Sequence, residues 1–259
     1  MISVVVPVYR QEKTIEDDIR NIEKSVEALG QDFEIVVVVD GSPDASYEKA
    51  CHLAIGRVKV YSYSVNKGKG YALRYGTVRA RGDIVVFLDA GMDIDSSGIA
   101  MLLSHMDWYQ ADIIVGSKRH PVSKVDYPLI RRLTSFGYQV LVRILFGLKI
   151  RDTQTGLKAF RRGVLDKVMP RLLVKNYAID IEMLSVANHL GFKRIYEAPV
   201  NVHHSFASLA KPSMRREIFN MLRDTLAVFY RLKILHYYDD GNERKWIFDP
   251  DLQMNVNIG

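Results

Sequence analysis

Acidic side chains at the ends of apolar runs are the residues here whose type and spacing could do chemistry. Asp40 closes the run EIVVVVD and opens Asp40-Gly-Ser-Pro-Asp44, and Asp89 closes IVVFLD and opens Asp89-Ala-Gly-Met-Asp93. The run VVVPVY (4–9) ends similarly, on Pro7 and Tyr9. A divalent cation such as Mg²⁺ takes hard oxygen ligands, commonly one or two carboxylates together with substrate phosphates. Asp89 and Asp93 are ligands of that type. Each loop alone has a plainer explanation: Asp-Gly-Ser-Pro-Asp is a common turn, and Asp after a strand often caps a helix.

Cations supply the complementary chemistry. Arg131 and Ser135 stand four apart in RRLTS, so a helix would put them on one face. There they could clamp a phosphate through charge-assisted hydrogen bonds. A solvated cationic edge is the competing explanation, and it is the preferred one for Arg132 and Arg143.

Such residues converge only if strands deliver them to one edge. Strand candidates are 2–6, 34–39, 58–63, 84–88 and 112–115, most of them Val- and Ile-rich. Continuous runs of this kind suit strands buried on both faces of a parallel sheet. Ile15, Ile19, Ile22, Val26 and Leu29 repeat at helical spacing, and further helices are expected over about 45–55, 69–80 and 97–109. The alternation predicts an α/β fold with right-handed crossovers and a Rossmann-like half over 1–120. Ligands of such sheets bind at the carboxyl ends of the strands.

Beyond 120 the pattern is less regular. An apolar helix with a basic edge is expected over 128–149, then a loop at 150–156 and a short segment at 157–160. A helix over 179–190, a strand over 193–200 and a long amphipathic helix over 213–236 follow, the last made cationic by Arg215, Arg216, Arg223, Arg231 and Lys233. From Tyr238 onward no pattern is evident.

The bulk numbers narrow the class. With 259 residues, 48% hydrophobic and 25% charged, the chain is globular in composition rather than disordered. A net charge of +6 favours an anionic partner without choosing among nucleic acid, lipid and phosphorylated substrate. One cysteine, Cys51, excludes an intrachain disulfide framework and a cysteine-rich zinc site, and fits a reducing compartment. No stretch approaches the roughly 20 apolar residues that span a bilayer.

The motifs VVVPVY (4–9), EIVVVVDGSPD (34–44), NKGKGYALRYG (66–76), GDIVVFLDAGMDID (82–95), RDTQTGLKAF (151–160) and YAIDIE (177–182) occur in one order. In that order the chain resembles the inverting family 2 glycosyltransferases of GT-A fold, over about 2–205. More narrowly it is similar to their polyprenol-phosphate branch, which includes dolichol-phosphate mannose synthases and dolichyl-phosphate β-glucosyltransferases. The resemblance implies a mostly parallel sheet sandwiched by helices, in a domain over 1–205 whose acceptor half is 121–205. Residues 206–259 would form a C-terminal amphipathic helix and tail.

It also implies roles. Pro7 and Tyr9 would flank the base and ribose of a nucleotide-sugar donor, Asp40 would bond the base, and Lys69 and Gln154 would join the donor site. Asp89 would lead the ligands of a Mg²⁺ or Mn²⁺ ion. The family's Asp-X-Asp is broken here, because position 91 is Gly, and Asp93 would compensate. Lys118 in GSKR, with Arg131 and Ser135, would hold the phosphate of a polyprenyl phosphate. Asp152 would lie near the sugar and the attacking oxygen, and Asp180 and Glu182 would form a second acidic motif. The expected reaction moves a hexose from GDP-mannose or UDP-glucose to that lipid with inversion.

A lipid acceptor implies a cytoplasmic protein peripheral on the membrane surface. The 128–149 and 213–236 helices have the make-up of interfacial helices, and a membrane partner subunit is a further expected partner. Three other functions compete. A family 2 transferase with a hydroxyl acceptor would need Asp180 or Glu182 as a base, and a non-catalytic sugar-nucleotide binder would follow from Gly91. A nucleic-acid binder rests on charge alone, and no recognition motif supports it.

Overall fold

The computed structural model describes residues 1–91, 94–123, 129–176, 178–202, 214–241 and 246–257, without the side chains of 129–135, 214–218 and 257. Seven strands form one sheet: β1 (Ile2–Val8), β2 (Phe33–Asp40), β3 (Val58–Tyr63), β4 (Ile84–Leu88), β5 (Ile113–Ser117), β6 (Leu157–Arg161) and β7 (Ile195–Pro199). Their order is β3-β2-β1-β4-β6-β5-β7. All the pairings are parallel except those of β6, which runs antiparallel to both β4 and β5.

Two apolar layers sandwich the sheet, because successive strand residues point to opposite faces. Val4, Val6 and Val8 of β1 pack with α1 (Ile15–Glu27), α2 (Ser46–His52) and α4 (Gly98–Trp108). Val5 points the other way, toward α3 (Lys69–Arg79), α5 (Leu129–Phe146), α6 (Arg162–Val168), α7 (Ile179–His189) and α8 (Met214–Lys233). The expected α/β sandwich is therefore present. On α1 the buried stripe is Ile15, Ile19, Ile22 and Val26, the spacing seen in the sequence.

Two features differ from expectation. The short segment at 157–160, to which the sequence assigned no type, is β6, a buried strand between β4 and β5. The patternless end contains a hairpin, β8 (Trp246–Asp249) and β9 (Met254–Asn257). Its turn residue Asp251 meets Lys67 Nζ at 3.3 Å and Tyr71 Oη at 3.4 Å, so contacts made far along the chain, rather than periodicity, hold it in place.

The topology decides where a ligand can sit. From β1 the chain winds outward through β2 and β3, then returns to place β4 on the other side of β1. Strand order reverses between β1 and β4, and that crevice at the carboxyl ends is where doubly wound sheets bind ligands. Because β6 is antiparallel, its amino end lies at the same edge: Leu88 pairs with Leu157. The 151–156 loop is thereby delivered beside Asp89.

Candidate active site

Asp89 emerges from the end of β4, where its backbone N–H donates to Gly156 O at 3.1 Å. Its Oδ2 accepts from Lys69 Nζ at 2.8 Å, and Lys69 also reaches Asp180 Oδ2 at 3.4 Å. Asp180 Oδ1 in turn accepts from Lys158 Nζ at 2.7 Å. Charges therefore alternate along a chain of four side chains: Lys158, Asp180, Lys69, Asp89. They come from β6, α7, α3 and β4, whose ends share the carboxyl edge of the sheet.

Burial and pairing compete at each member. Burial pulls the Lys69 ammonium down, but Asp180 and then Asp89 outweigh it and hold it above the usual lysine range. Burial pushes Asp180 up, yet Lys158 and Lys69 prevail and keep its carboxyl below the usual range. For Lys158, 1% exposed, burial wins and lowers the ammonium despite Asp180. Asp180 is thus held as a carboxylate, which makes it a weak base.

Asp89 Oδ1 is buried and makes no hydrogen bond. A hard, unpartnered carboxylate oxygen in the ligand crevice fits a divalent cation. Among the described residues no group of three or more metal-ligating side chains is preassembled, so substrate oxygens or Asp93 would have to complete a coordination sphere. Asp93 lies outside the described residues.

Glycines shape the walls. A Cβ on Gly156 would stand 2.5 Å from Asp89 Oδ2, so only glycine lets the carboxylate lie against the 151–156 loop. Gly70, in the first turn of α3, would meet Val174 O at 2.3 Å. Gly91 has φ +104°, and its N–H donates at 2.9 Å to Asp18 Oδ2. Asp18 is buried in α1 and also accepts from Thr14 Oγ1 at 3.0 Å. The turn after Asp89 is therefore anchored from below by a carboxylate that the sequence pattern did not single out.

Of the residues expected to bind a donor, Pro7 lies in β1 and Tyr9 just past its end, 41% exposed. Asp40 is only 4% exposed. Its carboxylate accepts from Lys67 N (2.7 Å), Gly68 N (2.9 Å) and Asn66 Nδ2 (3.1 Å). What Asp40 does in the structure is hold the loop leading into α3. Asp44 similarly ties three segments together, accepting from Ser42 Oγ at 2.5 Å, Ser46 Oγ at 2.6 Å and Glu12 N at 3.3 Å.

Of the residues expected to hold the acceptor, Lys118 and Asp152 are joined to each other. Asp152 Oδ2 accepts from Lys118 N at 3.1 Å, joining the end of β5 to the 151–156 loop. Gln154 Nε2 lies 2.9 Å from Met221 Sδ on α8, and Tyr138 of α5 meets Thr225 of α8 at 2.8 Å. Burial pushes the Tyr138 phenol up to about 12, with Asp180 nearby adding to the shift. The side chains of Arg131 and Ser135 lie outside the described residues.

Asp180 and Glu182 part company. Two apart on a helix, they face different sides. Glu182 is sealed beneath the site, accepting from Leu173 N, Val174 N at 2.9 Å and Tyr238 Oη at 2.7 Å. Burial pushes its carboxyl up despite these bonds. Lys158 escaped sequence reasoning, although a lysine amid Leu157, Ala159 and Phe160 in an apolar strand is a signal that it needs a buried anion.

Among the described residues no helix is long and apolar enough to cross a membrane. Helix α5 nevertheless exposes Phe136, Val140 and Ile144 at four-residue spacing while burying Val142 and Phe146. Helix α8 exposes Phe219, Leu226 and Tyr230 beside Arg223 and Lys233.

Residues 3–169 match the family described as glycosyl transferase family 2. A dolichyl-phosphate beta-glucosyltransferase of Trichomonas vaginalis is 32% identical over 89% of this chain and 74% of that protein. Glycosyltransferase AglD of Haloferax volcanii is 30% identical over 90% of this chain, which spans only 38% of AglD. A Drosophila melanogaster dolichyl-phosphate beta-glucosyltransferase is 30% identical over 73% of this chain and 63% of its own length. Among solved structures, Mycobacterium tuberculosis glucosyl-3-phosphoglycerate synthase, crystallised with Mn²⁺, uridine diphosphate and phosphoglyceric acid, superposes with a TM-score of 0.67. It covers 99% of this chain and 85% of that one at 23% identity, a likeness of fold.

Proposed function

The chain belongs to glycosyl transferase family 2, and from that premise we propose that it transfers a hexose from a nucleoside-diphosphate sugar to a polyprenyl phosphate, with inversion. The observation that carries this reading is the Asp89–Lys69–Asp180–Lys158 chain at the β1/β4 crevice, with one Asp89 oxygen left unpartnered. Relatives named dolichyl-phosphate beta-glucosyltransferase make UDP-glucose the first donor to test, with GDP-mannose second.

Asp89 is the residue to hold a Mg²⁺ or Mn²⁺ ion through its free oxygen, with Asp93 as second ligand. Such an ion neutralises the charge that builds up on a departing nucleoside diphosphate. Lys69, kept cationic by its two carboxylates, reduces the repulsion a diphosphate would meet beside Asp89. Pro7 and Tyr9 border the nucleotide, and Asp40 shapes the pocket through the 66–68 loop. Gln154, whose amide rests on Met221, is proposed to contact the sugar.

A phosphate oxygen of the acceptor forms the new bond to the anomeric carbon while the bond to the nucleoside diphosphate breaks. Phosphate monoesters have a second pKa near ~6, so this nucleophile is ionised at neutral pH without a base. That matters here. Asp180 is ion-paired to two lysines and Glu182 is sealed behind the site, so neither suits the base that a hydroxyl acceptor needs. Asp152, held by Lys118 N, orients the acceptor, and Lys118, Arg131 and Ser135 are proposed to hold its phosphate. A polyprenyl chain stays in its bilayer, so the exposed apolar faces of α5 and α8 are proposed to lie on the membrane surface.

The test combines purified protein, Mn²⁺ or Mg²⁺, a polyprenyl phosphate in detergent and each hexose donor separately. Mass spectrometry is expected to find a glycosylated lipid phosphate with one donor. Protein that binds nucleotide but gives no product with any donor would overturn the reading in favour of a non-catalytic binder.

A further inference from the structure

A cavity of about 830 Å³ lies behind the 151–156 loop, outside the crevice that holds Asp89. Lys149, Arg151 and Lys193 line it against a single carboxylate, Glu197. One oxygen of Glu197 is already engaged, accepting from Arg151 N at 2.8 Å and Asp152 N at 2.9 Å. Lys193 Nζ bonds Asn188, which leaves it a further N–H to donate. The side chains of Lys149 and Arg151 have no hydrogen bond or ion pair among the described residues. Three cations around one committed carboxylate give the cavity a positive lining that suits an anion.

The surroundings say where that anion comes from. Tyr109 and Tyr196 form one wall, their rings 5.0 Å apart, and Trp108 beside them is 72% exposed. Aromatic side chains with an apolar body and a polar tip settle at membrane–water boundaries. The cavity also opens at the carboxyl end of α5: Gly147, Leu148 and Lys149 line it, and Ile144, 76% exposed, stands one turn before them. A phosphate group seated among Lys149, Arg151 and Lys193 would therefore have an apolar helix face beside it to receive acyl chains.

We propose that this cavity binds the phosphate-bearing headgroup of an anionic membrane lipid, as a site separate from that of the acceptor phosphate. Seating a lipid there would dock the protein with α5 against the bilayer. Because Glu197 holds the backbone of Asp152, it would also fix that loop. The inference does not depend on transfer of a sugar, so vesicle binding without donor or acceptor reads it independently.

The experiment is co-sedimentation of the full chain with vesicles of phosphatidylcholine, alone or mixed with phosphatidylglycerol. Lys149→Glu with Lys193→Glu is compared with Arg20→Glu and Lys24→Glu on exposed positions of α1, which change the net charge equally. Unchanged melting temperatures show that both pairs fold. The cavity pair is expected to lose about tenfold or more of its binding to phosphatidylglycerol vesicles, with the α1 pair near wild type. Equal losses in both pairs, or none in the cavity pair, would overturn the proposal. Calorimetric titration with glycerol 1-phosphate separates the sources. Weak binding supports a lipid site, whereas binding as tight as that of vesicles would make this a site for a soluble phosphate ester.

Discussion

Lys158 Nζ lies 2.7 Å from Asp180 Oδ1, and both side chains are almost wholly buried. Removing one partner of a buried pair leaves an uncompensated charge and costs about 3–5 kcal/mol. Lys158→Met should therefore lower stability by that order and leave Asp180 dependent on Lys69 alone. Lys69 would be drawn from Asp89 toward Asp180, so turnover should fall further than the loss of folded protein explains. Chemical denaturation alongside activity per folded molecule checks both.

Glu182 gives the opposite expectation. Its oxygens serve Leu173 N, Val174 N and Tyr238 Oη rather than the crevice. Glu182→Gln should cost about 2 kcal/mol of stability through weakened charge-assisted bonds, with the rate per folded molecule within a few-fold of wild type. A loss of rate by orders of magnitude at unchanged stability would instead make Glu182 a base, and would revive a hydroxyl acceptor.

These two residues mark the boundary of what the sequence could reveal. Strands β1, β2, β4 and β5 were legible because Val- and Ile-rich runs mean burial on both faces, whereas β3 (VKVYSY) is a half-buried edge strand; Asp89 was legible because it ends such a run. The partners of Asp89 were not equally visible. Asp180 and Lys158 are 22 positions apart, and their pairing follows from β6 running antiparallel, which no local pattern dictates. Asp18 looks like an ordinary first-turn helix acid until Gly91 is found above it. The distinction between Asp180 and Glu182 needs the orientation of α7, which periodicity could not supply because α7 is buried nearly all round.

Asp44 predicts a pH dependence of stability. Burial pushes its carboxyl up, but hydrogen bonds from Ser42, Ser46 and the Glu12 N–H outweigh this and bring it to about 2, against 3.8 ordinarily. The unfolded chain then binds this proton more readily than the folded one. The contribution is complete above the unfolded value and is lost as pH falls through the folded value. Urea denaturation between about pH 2 and pH 4 should show wild type losing stability more steeply than Asp44→Asn. Parallel slopes would mean that the Asp40–Asp44 loop opens before Asp44 titrates.

Gly156→Ala tests how closely the 151–156 loop must approach the crevice. The added methyl would stand 2.5 Å from Asp89 Oδ2 and 2.7 Å from its Cγ. It would also stand 2.9 Å from Asp89 Cβ, so the carboxylate must swing away and the loop must part from the end of β4, at some cost in stability. Metal-dependent nucleotide binding should weaken at least tenfold in the protein that remains folded. Titration of the nucleotide with and without Mn²⁺ isolates the effect, because metal-free binding should be nearly unchanged.

Gly91 occupies the place of the family's second acid, which suggests that Gly91→Asp would restore a missing ligand. The backbone argues otherwise. Position 91 has φ +104°, a conformation that costs an L-residue about 1–3 kcal/mol. It is pinned there by the 2.9 Å bond from its N–H to buried Asp18. An aspartate at 91 must either bear that strain or flip the turn and leave the Asp18 carboxylate short of a donor. Gly91→Asp should therefore lower activity without tightening Mn²⁺ binding. Gly91→Ala, which adds strain without charge, should lower it comparably. If Gly91→Asp raises turnover while Gly91→Ala lowers it, the loop can absorb the strain and the site lacks a ligand. If both fall together, the glycine belongs to a turn built around Asp18, and metal binding relies on Asp89 with help from outside position 91.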